Sequence, residues 1–321
     1  MKLRYMLTAL AAVALAVPAH AQNKSVTLGT ASTGGTYFVY GGVIASLLTN
    51  KNIGLTVSTQ QTQGPNQNIV LVSEKKVELG MTTMGVAIHA WNGTPTGWTK
   101  GKKYNDIRAL FPMYDTPFHF VTLAKTGIKK VADLKGKTVG VGPRAGTCGT
   151  YFPLMFKSLK VDLNVQYGQA SDMASRLSDG LIAAFPFCAG VPIAAYSELD
   201  ASREVTFFTY TDAEIAQLKK DIPELSDSII PKGTYKSLKE DHKTVGLYNF
   251  FISHKDLDAD TAYKITKTVL ENNAEMVKGH SAAKETVIAN WDKNTFLPFH
   301  PGAVKYYAEK GIKIPANLVG K

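Results

Sequence analysis

The chain of 321 residues carries 36 lysines and arginines against 26 acidic side chains, for a net charge of +10, and only two cysteines. That length is enough for two lobes with proper cores, and two cysteines exclude a disulfide-dense scaffold. The basic residues do not gather with aromatics into one stripe, which argues against nucleic acid as a partner.

At the N-terminus, Lys2 and Arg4 precede an apolar run over 5–17 and an A-x-A site, Ala19-His20-Ala21. This reads as a secretory signal peptide, 1–21, cleaved before Gln22. The run is shorter than the roughly 20 residues of a membrane span, so the expectation is a soluble protein exported to a bacterial periplasm. Without Lys2 and Arg4, 34 basic and 26 acidic side chains remain, a net charge of +8. That sign suits an anionic small ligand and equally a merely solvated surface.

The first lobe reads as strand 26–30, helix 36–49, strand 55–60, helix 66–73 and strand 77–82, with a short helical piece at 86–90. β-rich runs alternating with helical patterns predict an α/β fold, a mostly parallel sheet with helices on both faces. The segment 91–103, rich in Gly, Thr and Lys, is a loop: a flap, a docking surface or an ordinary excursion. Residues 107–123 are extended and cross to a second lobe. There the order repeats: strand 138–141, helix 150–159, strand 164–167, helix 171–178, strand 181–187. Strand 204–210 and helix 212–220 follow, and 245–253 returns the chain to the first lobe. The remainder is mostly helical, with Asp260 as the expected N-cap of a helix whose apolar face includes Ala262, Ile265, Val269 and Met276. Two crossings between lobes predict a hinge that closes on a ligand.

Two stretches echo each other: Thr33-Gly34-Gly35-Thr36-Tyr37-Phe38 and Thr147-Cys148-Gly149-Thr150-Tyr151-Phe152. Each follows a strand and opens a helix. Glycines there allow close backbone approach, and the first N–H groups of a helix have no intrahelical partner, so the device holds anions. Used twice, it predicts two lobes presenting helix ends to one cleft; an ordinary capped corner is the plain alternative for either stretch alone. Arg144 is the only cation inside either loop, suited to a carboxylate or simply solvated. Tyr37 and Tyr151 supply either a hydroxyl or a buried wall.

Gly140, Gly142 and Gly146 imitate a dinucleotide fingerprint, but the third glycine is one residue late and Pro143 interrupts the turn. Cys148 at a helix start suits a nucleophile, yet the histidines of the mature chain form no partner motif. No metal-ligand spacing is present, so neither metal nor cofactor is expected. Cys148 and Cys188, each beside the expected cleft, are either bridged or two free thiols.

Several of these segments carry a family resemblance. Gly29-Thr30-Ala31-Ser32-Thr33-Gly34-Gly35-Thr36-Tyr37-Phe38, the A-D-L-K-G-K piece at 132–137, the loop 146–150, Thr244-Val245-Gly246 and the late Leu297-Pro298-Phe299-His300-Pro301-Gly302-Ala303 with Tyr306-Tyr307 resemble the TAXI family of TRAP-transporter solute-binding proteins, over essentially the whole mature chain. The resemblance implies a two-lobed, periplasmic-binding-protein type II fold, not an enzyme. Lobe 1 would be 22–121 with 246–321, and lobe 2 would be 122–245. The protein would act as a monomer, close on a small organic anion (glutamate, 2-oxoglutarate or another dicarboxylate) and deliver it to the membrane subunits of a TRAP transporter. Ligand-facing candidates are Thr33, Gly35, Thr36, Tyr37, Asn68, Thr147, Gly149, Thr150 and Phe187, to which Thr83, Arg144 and Cys148 are added. The sequence departs from the family at Pro65, at Thr83-Met84-Gly85, at Cys148 within the usual G-S-G-T loop, and at Ala183. The alternatives are a receptor signalling to a membrane kinase and a secreted enzyme using Cys148.

Overall fold

The computed structural model describes residues 23–94 and 97–320; the expected signal peptide, 1–21, lies outside the described residues. Strands β1 (Lys24–Gly29), β2 (Leu55–Gln60) and β3 (Leu79–Thr83) alternate with helices α1 (Thr36–Asn50), α2 (Pro65–Ser73) and α3 (Met84–Asn92). After the long β4 (Ile107–Leu123) come β5 (Thr138–Val141), α4 (Thr147–Ser158), β6 (Asn164–Tyr167), α5 (Ala170–Ser178), β7 (Phe185–Cys188) and α6 (Ala194–Ser202). Then follow β8 (Val205–Phe208), α7 (Asp212–Asp221), β9 (Ser226–Ile230), β10 (His242–His254), α8 (Ala259–Glu271), α9 (Asn273–Gly279) and α10 (Pro301–Glu309).

The result is a two-lobed α/β architecture of mixed sheet flanked by helices. In the first lobe β2, β1 and β3 are parallel, Val26 opposite Val57 and Leu28 opposite Leu79, and β10 then β4 extend the sheet antiparallel. The far ends of the same two strands seed the second lobe. There β7 and β8 pair with β4, β9 pairs with β10, and parallel β5 and β6 join through Gly140 N–H to the Ala184 carbonyl at 3.1 Å. Stacked rings lock both ends of this spine: Phe111 on Phe251 in the first lobe and Phe120 on Phe208 in the second, each pair 4.9 Å between centroids. Such pairs add about 0.5–1.5 kcal/mol beyond their buried area.

The spine is interrupted where the lobes meet. Pro112 and Pro117 lie in β4 and offer no N–H to a ladder. The β4–β10 register slips between Tyr248 and Phe250, so Asn249 has no partner directly opposite on β4, while on β3 it faces Thr83. A bulge of this kind redirects a side chain; here it serves Asn249.

Several expectations need correction. Helix α4 starts at Thr147, three residues early, because Gly146 caps it. The N-cap of α8 is Asp258, which accepts from Thr261 N–H at 2.8 Å; Asp260 is a first-turn residue and Met276 belongs to α9. The expected strand 181–187 is cut to β7, since Leu181 is exposed. Helix α6 and strand β9 were not predicted. In the loop 91–103, Trp98 stacks on Tyr104 at 5.7 Å. No described helix is long and apolar enough to cross a membrane.

Candidate functional site

Three helices open into one cavity between the lobes. Helix α1 contributes Gly35, Thr36 and Tyr37, α2 contributes Gly64 and Pro65, and α4 contributes Gly146, Thr147 and Cys148. All three have glycine at the N-cap, no side-chain cap and no acidic residue in the first turn. Ordinarily such ends are capped by Ser, Asp or Glu. The glycine N–H groups themselves are taken, Gly35 by the Ser32 carbonyl, Gly64 by Thr62 Oγ1 and Gly146 by the Pro143 carbonyl. What the ends offer an entering group is the N–H groups of the first helical residues, other than at Pro65. The cavity measures about 50 Å³ as space open to the centre of a water-sized sphere.

The two strands between the lobes supply the floor. The Tyr37 hydroxyl donates to Asn249 Oδ1 at 2.5 Å, while Asn249 Nδ2 donates to the Tyr114 carbonyl at 2.5 Å and to Thr116 Oγ1 at 2.6 Å. Burial pushes the Tyr37 phenol well above its ordinary range, so it remains a donor. These bonds fix the Asn249 amide and leave the Thr116 hydroxyl proton free to point elsewhere. Ser32, 2% exposed, also lines the cavity, and its hydroxyl has no partner among the described residues. The walls are apolar: Ala31, Pro65, Pro143, Phe187, Ala189 and the disulfide of Cys148 with Cys188, whose Cα atoms lie 5.6 Å apart.

The expected residues divide into two groups. Gly35, Thr36, Tyr37, Thr147, Cys148 and Phe187 line the cavity. Thr33, Asn68, Thr83, Arg144, Gly149 and Thr150 do not. Asn68 instead ties β1 to β3, donating to the Thr30 and Met81 carbonyls at 2.8 and 2.9 Å. Arg144 is exposed, its guanidinium 3.8 Å from the Tyr167 ring centroid, and so offers the cavity no charge. Gly149 packs flat on the Pro143 carbonyl, where a Cβ would come within 2.2 Å. The nucleophile reading of Cys148 loses its thiol to the disulfide. Ser32, Gln63, Gly64, Pro65, Thr116 and Asn249 were missed as cavity residues.

The remaining threonines join the lobes. Thr33 Oγ1 lies 2.9 Å from Ser171 Oγ, Thr83 Oγ1 3.2 Å from Thr147 Oγ1, and Asn66 Nδ2 donates to Thr150 Oγ1 at 3.1 Å. Thr36 Oγ1 donates to the Gly190 carbonyl, and Ala195 N–H to the Gly34 carbonyl at 3.1 Å. Gly64, with φ of +120°, sits so close to α4 that a Cβ there would lie 3.3 Å from the Gly146 Cα. The lobes are closed on each other.

The sequence profile of the NMT1-like family matches residues 28–311. The chain belongs to the NMT1-like family. That match spans both lobes and every residue of the cavity. Among solved structures, the chain is similar to the substrate binding protein of an amino acid ABC transporter (14% identity, 84% of this chain and 100% of that one, TM-score 0.44). It is also similar to the periplasmic aliphatic sulphonate binding protein SsuA from Escherichia coli (15%, 89% and 83%, TM-score 0.47). A third is an ABC uptake transporter substrate binding protein from Streptococcus pneumoniae with bound histidine (15%, 82% and 92%, TM-score 0.47).

Proposed function

We propose that this protein is an exported solute receptor that closes its two lobes around a small organic anion and delivers it to the membrane subunits of a TRAP-type importer. One observation carries the reading: three helix N-termini from both lobes, all without side-chain caps, share one cavity. Each end contributes roughly 0.3–1 kcal/mol toward an anion, up to about 2 when partly buried. Hydrogen bonds to a charged group add about 1.5–3 kcal/mol each, so three or four donors reach the roughly 8 kcal/mol of micromolar affinity. The lobes in this reading are 22–121 with 246–321 and 122–245, and β4 and β10 are the hinge. The resemblance to TAXI proteins supports the importer as partner, with residues 1–21 as the export signal and the periplasm as the place of work.

The test is a thermal-shift and tryptophan-fluorescence screen over carboxylates, sulfonates and amino acids, on protein unfolded and refolded to strip any carried ligand. The expected result is a rise in Tm with at least one anion; a flat response to all of them rejects the reading. Uptake of that anion by cells lacking the gene then separates importer from sensor, since a receptor for a kinase leaves uptake intact.

A further inference from the structure

Resting on that reading, we infer that the ligand is a short monocarboxylate without an amino group, and that amino acids and dicarboxylates are excluded. The residues that line the cavity include no Asp or Glu and no Lys, Arg or His. An α-amino acid would bring an ammonium group with no carboxylate to meet it, among Phe187, Pro65, Pro143 and the disulfide. A dicarboxylate would bring a second anionic group beyond the one that the helix ends and hydroxyls meet, with no cation to pair it. Burying either charge unpaired costs more than a hydrogen bond returns.

What the cavity does offer is donors. The first N–H groups of α1 and α4 lack side-chain caps. Ser32 and Thr116, each on a 2%-exposed residue, bring hydroxyls to the cavity, and Thr116 Oγ1 accepts from Asn249 Nδ2 and so keeps its own proton for another acceptor. Thr147, which lines the cavity, shares one hydrogen bond with the Thr83 hydroxyl behind it; with Thr83 as the donor, the Thr147 proton is free for the cavity. Donors without an opposing cation match one oxyanion head, while the apolar walls match an aliphatic or oxo body. The cavity is also small, about 50 Å³ of space open to the centre of a water-sized sphere, several times what one water needs, which favours a short body over a longer one.

The experiment uses the refolded mature chain and calorimetric titration with acetate, propionate, pyruvate, methanesulfonate, L-glutamate and 2-oxoglutarate. The expected result is tightest binding by propionate or pyruvate, with glutamate and 2-oxoglutarate weaker by at least about a hundredfold. Ser32→Ala and Thr116→Val should each weaken the best binder by about tenfold, with circular dichroism melts establishing that both variants fold. Should Thr116→Val fail to fold, Thr116→Ser supplies the control and should retain binding. Tighter binding of glutamate or 2-oxoglutarate overturns the inference while leaving the anion receptor standing. Preference for methanesulfonate overturns the carboxylate head, and silence from the whole panel removes the receptor reading as well.

Discussion

His89 on α3 and Glu224, just before β9, meet across the boundary between the lobes, His89 Nε2 3.0 Å from Glu224 Oε1. The Tyr151 hydroxyl also donates to Glu224 Oε1, at 2.9 Å, and the His89 and Tyr151 rings stack with centroids 5.8 Å apart. This half-buried group lies outside the cavity, so it sets how firmly the lobes close without touching the solute. Burial pushes the Glu224 carboxyl up, but hydrogen bonds from His89, its own backbone N–H and Tyr151 outweigh this and leave it below its ordinary value.

Glu224→Gln should therefore loosen the contact between the lobes. The expected loss is about 1 kcal/mol of closure, seen as a several-fold weaker Kd for whichever monocarboxylate binds best, and as a larger radius of gyration in X-ray scattering. The sign with pH follows from the lowered pKa: closure is intact above the ordinary carboxylate value of 4.5 and is lost as pH falls through and below it. Scattering from pH 7 down to 3.5 should show opening in the natural protein and little change in the variant.

Asp115 and Glu285 make the opposite case at the strands that connect the lobes. Glu285 Oε2 accepts from the Asp115 backbone N–H at 3.3 Å, and Ser228 donates to the Asp115 carboxylate. Burial raises both carboxyls, and Glu285 is raised further by the negative field of Asp115, with the Thr116 backbone N–H, Tyr248, Asn290 and Lys293 as the other polar neighbours. Groups raised in the fold favour the folded state at low pH and withdraw that support as pH rises through their shifted values. Asp115→Asn should thus raise stability near pH 7, on the order of 1 kcal/mol, and flatten the decline between pH 4 and 7 in urea unfolding. A loss of stability at pH 7 would mean that the contact with Ser228 outweighs the repulsion.

The disulfide ties the first turn of α4 to the end of β7 across a separation of 40 residues. Removing both sulfurs, as Cys148→Ala with Cys188→Ala, should lower unfolding free energy by roughly 2–4 kcal/mol, read from urea midpoints against the oxidised protein. Both residues also line the cavity, so the double variant should lose affinity for the best-binding monocarboxylate in calorimetry.

Gly142 keeps Phe187 in place. A Cβ at Gly142 would stand 2.6 Å from the Phe187 ring, which forms part of the cavity wall. Gly142→Ala should push that ring inward and weaken binding by at least about tenfold, roughly 1.4 kcal/mol. Adding Phe187→Ala should restore part of the loss, a coupling that independent sites would not show.

The lobes, their repeated strand-to-helix corners and the two crossings were legible because each rests on local pattern: apolar alternation, glycine at a helix start, a long extended run. Gly35, Thr36, Thr147 and Cys148 of the echo loops line one cavity. Asn68, Thr83 and Arg144 escaped because their roles depend on which partner lies nearby. A side chain that bonds Met81 or stacks on Tyr167 carries no mark of it in the sequence. Asn249 did leave a trace: a lone amide inside the apolar run Leu247-Tyr248-Asn249-Phe250-Phe251 is costly unless bonded, and its partners Tyr37, Tyr114 and Thr116 repay that cost. Ser32, in the loop after β1, and Thr116, midway along β4, are ordinary residues until the lobes come together.

The seam at Gly64 and Gly146 has one more consequence. With no side chain on either residue, the two backbones meet like door and jamb. A single bulky substituent introduced there would act as a wedge, keeping the molecule ajar while its lobes remain separately folded. If the proposed function holds, such a propped form would report which shape of the protein a membrane partner accepts.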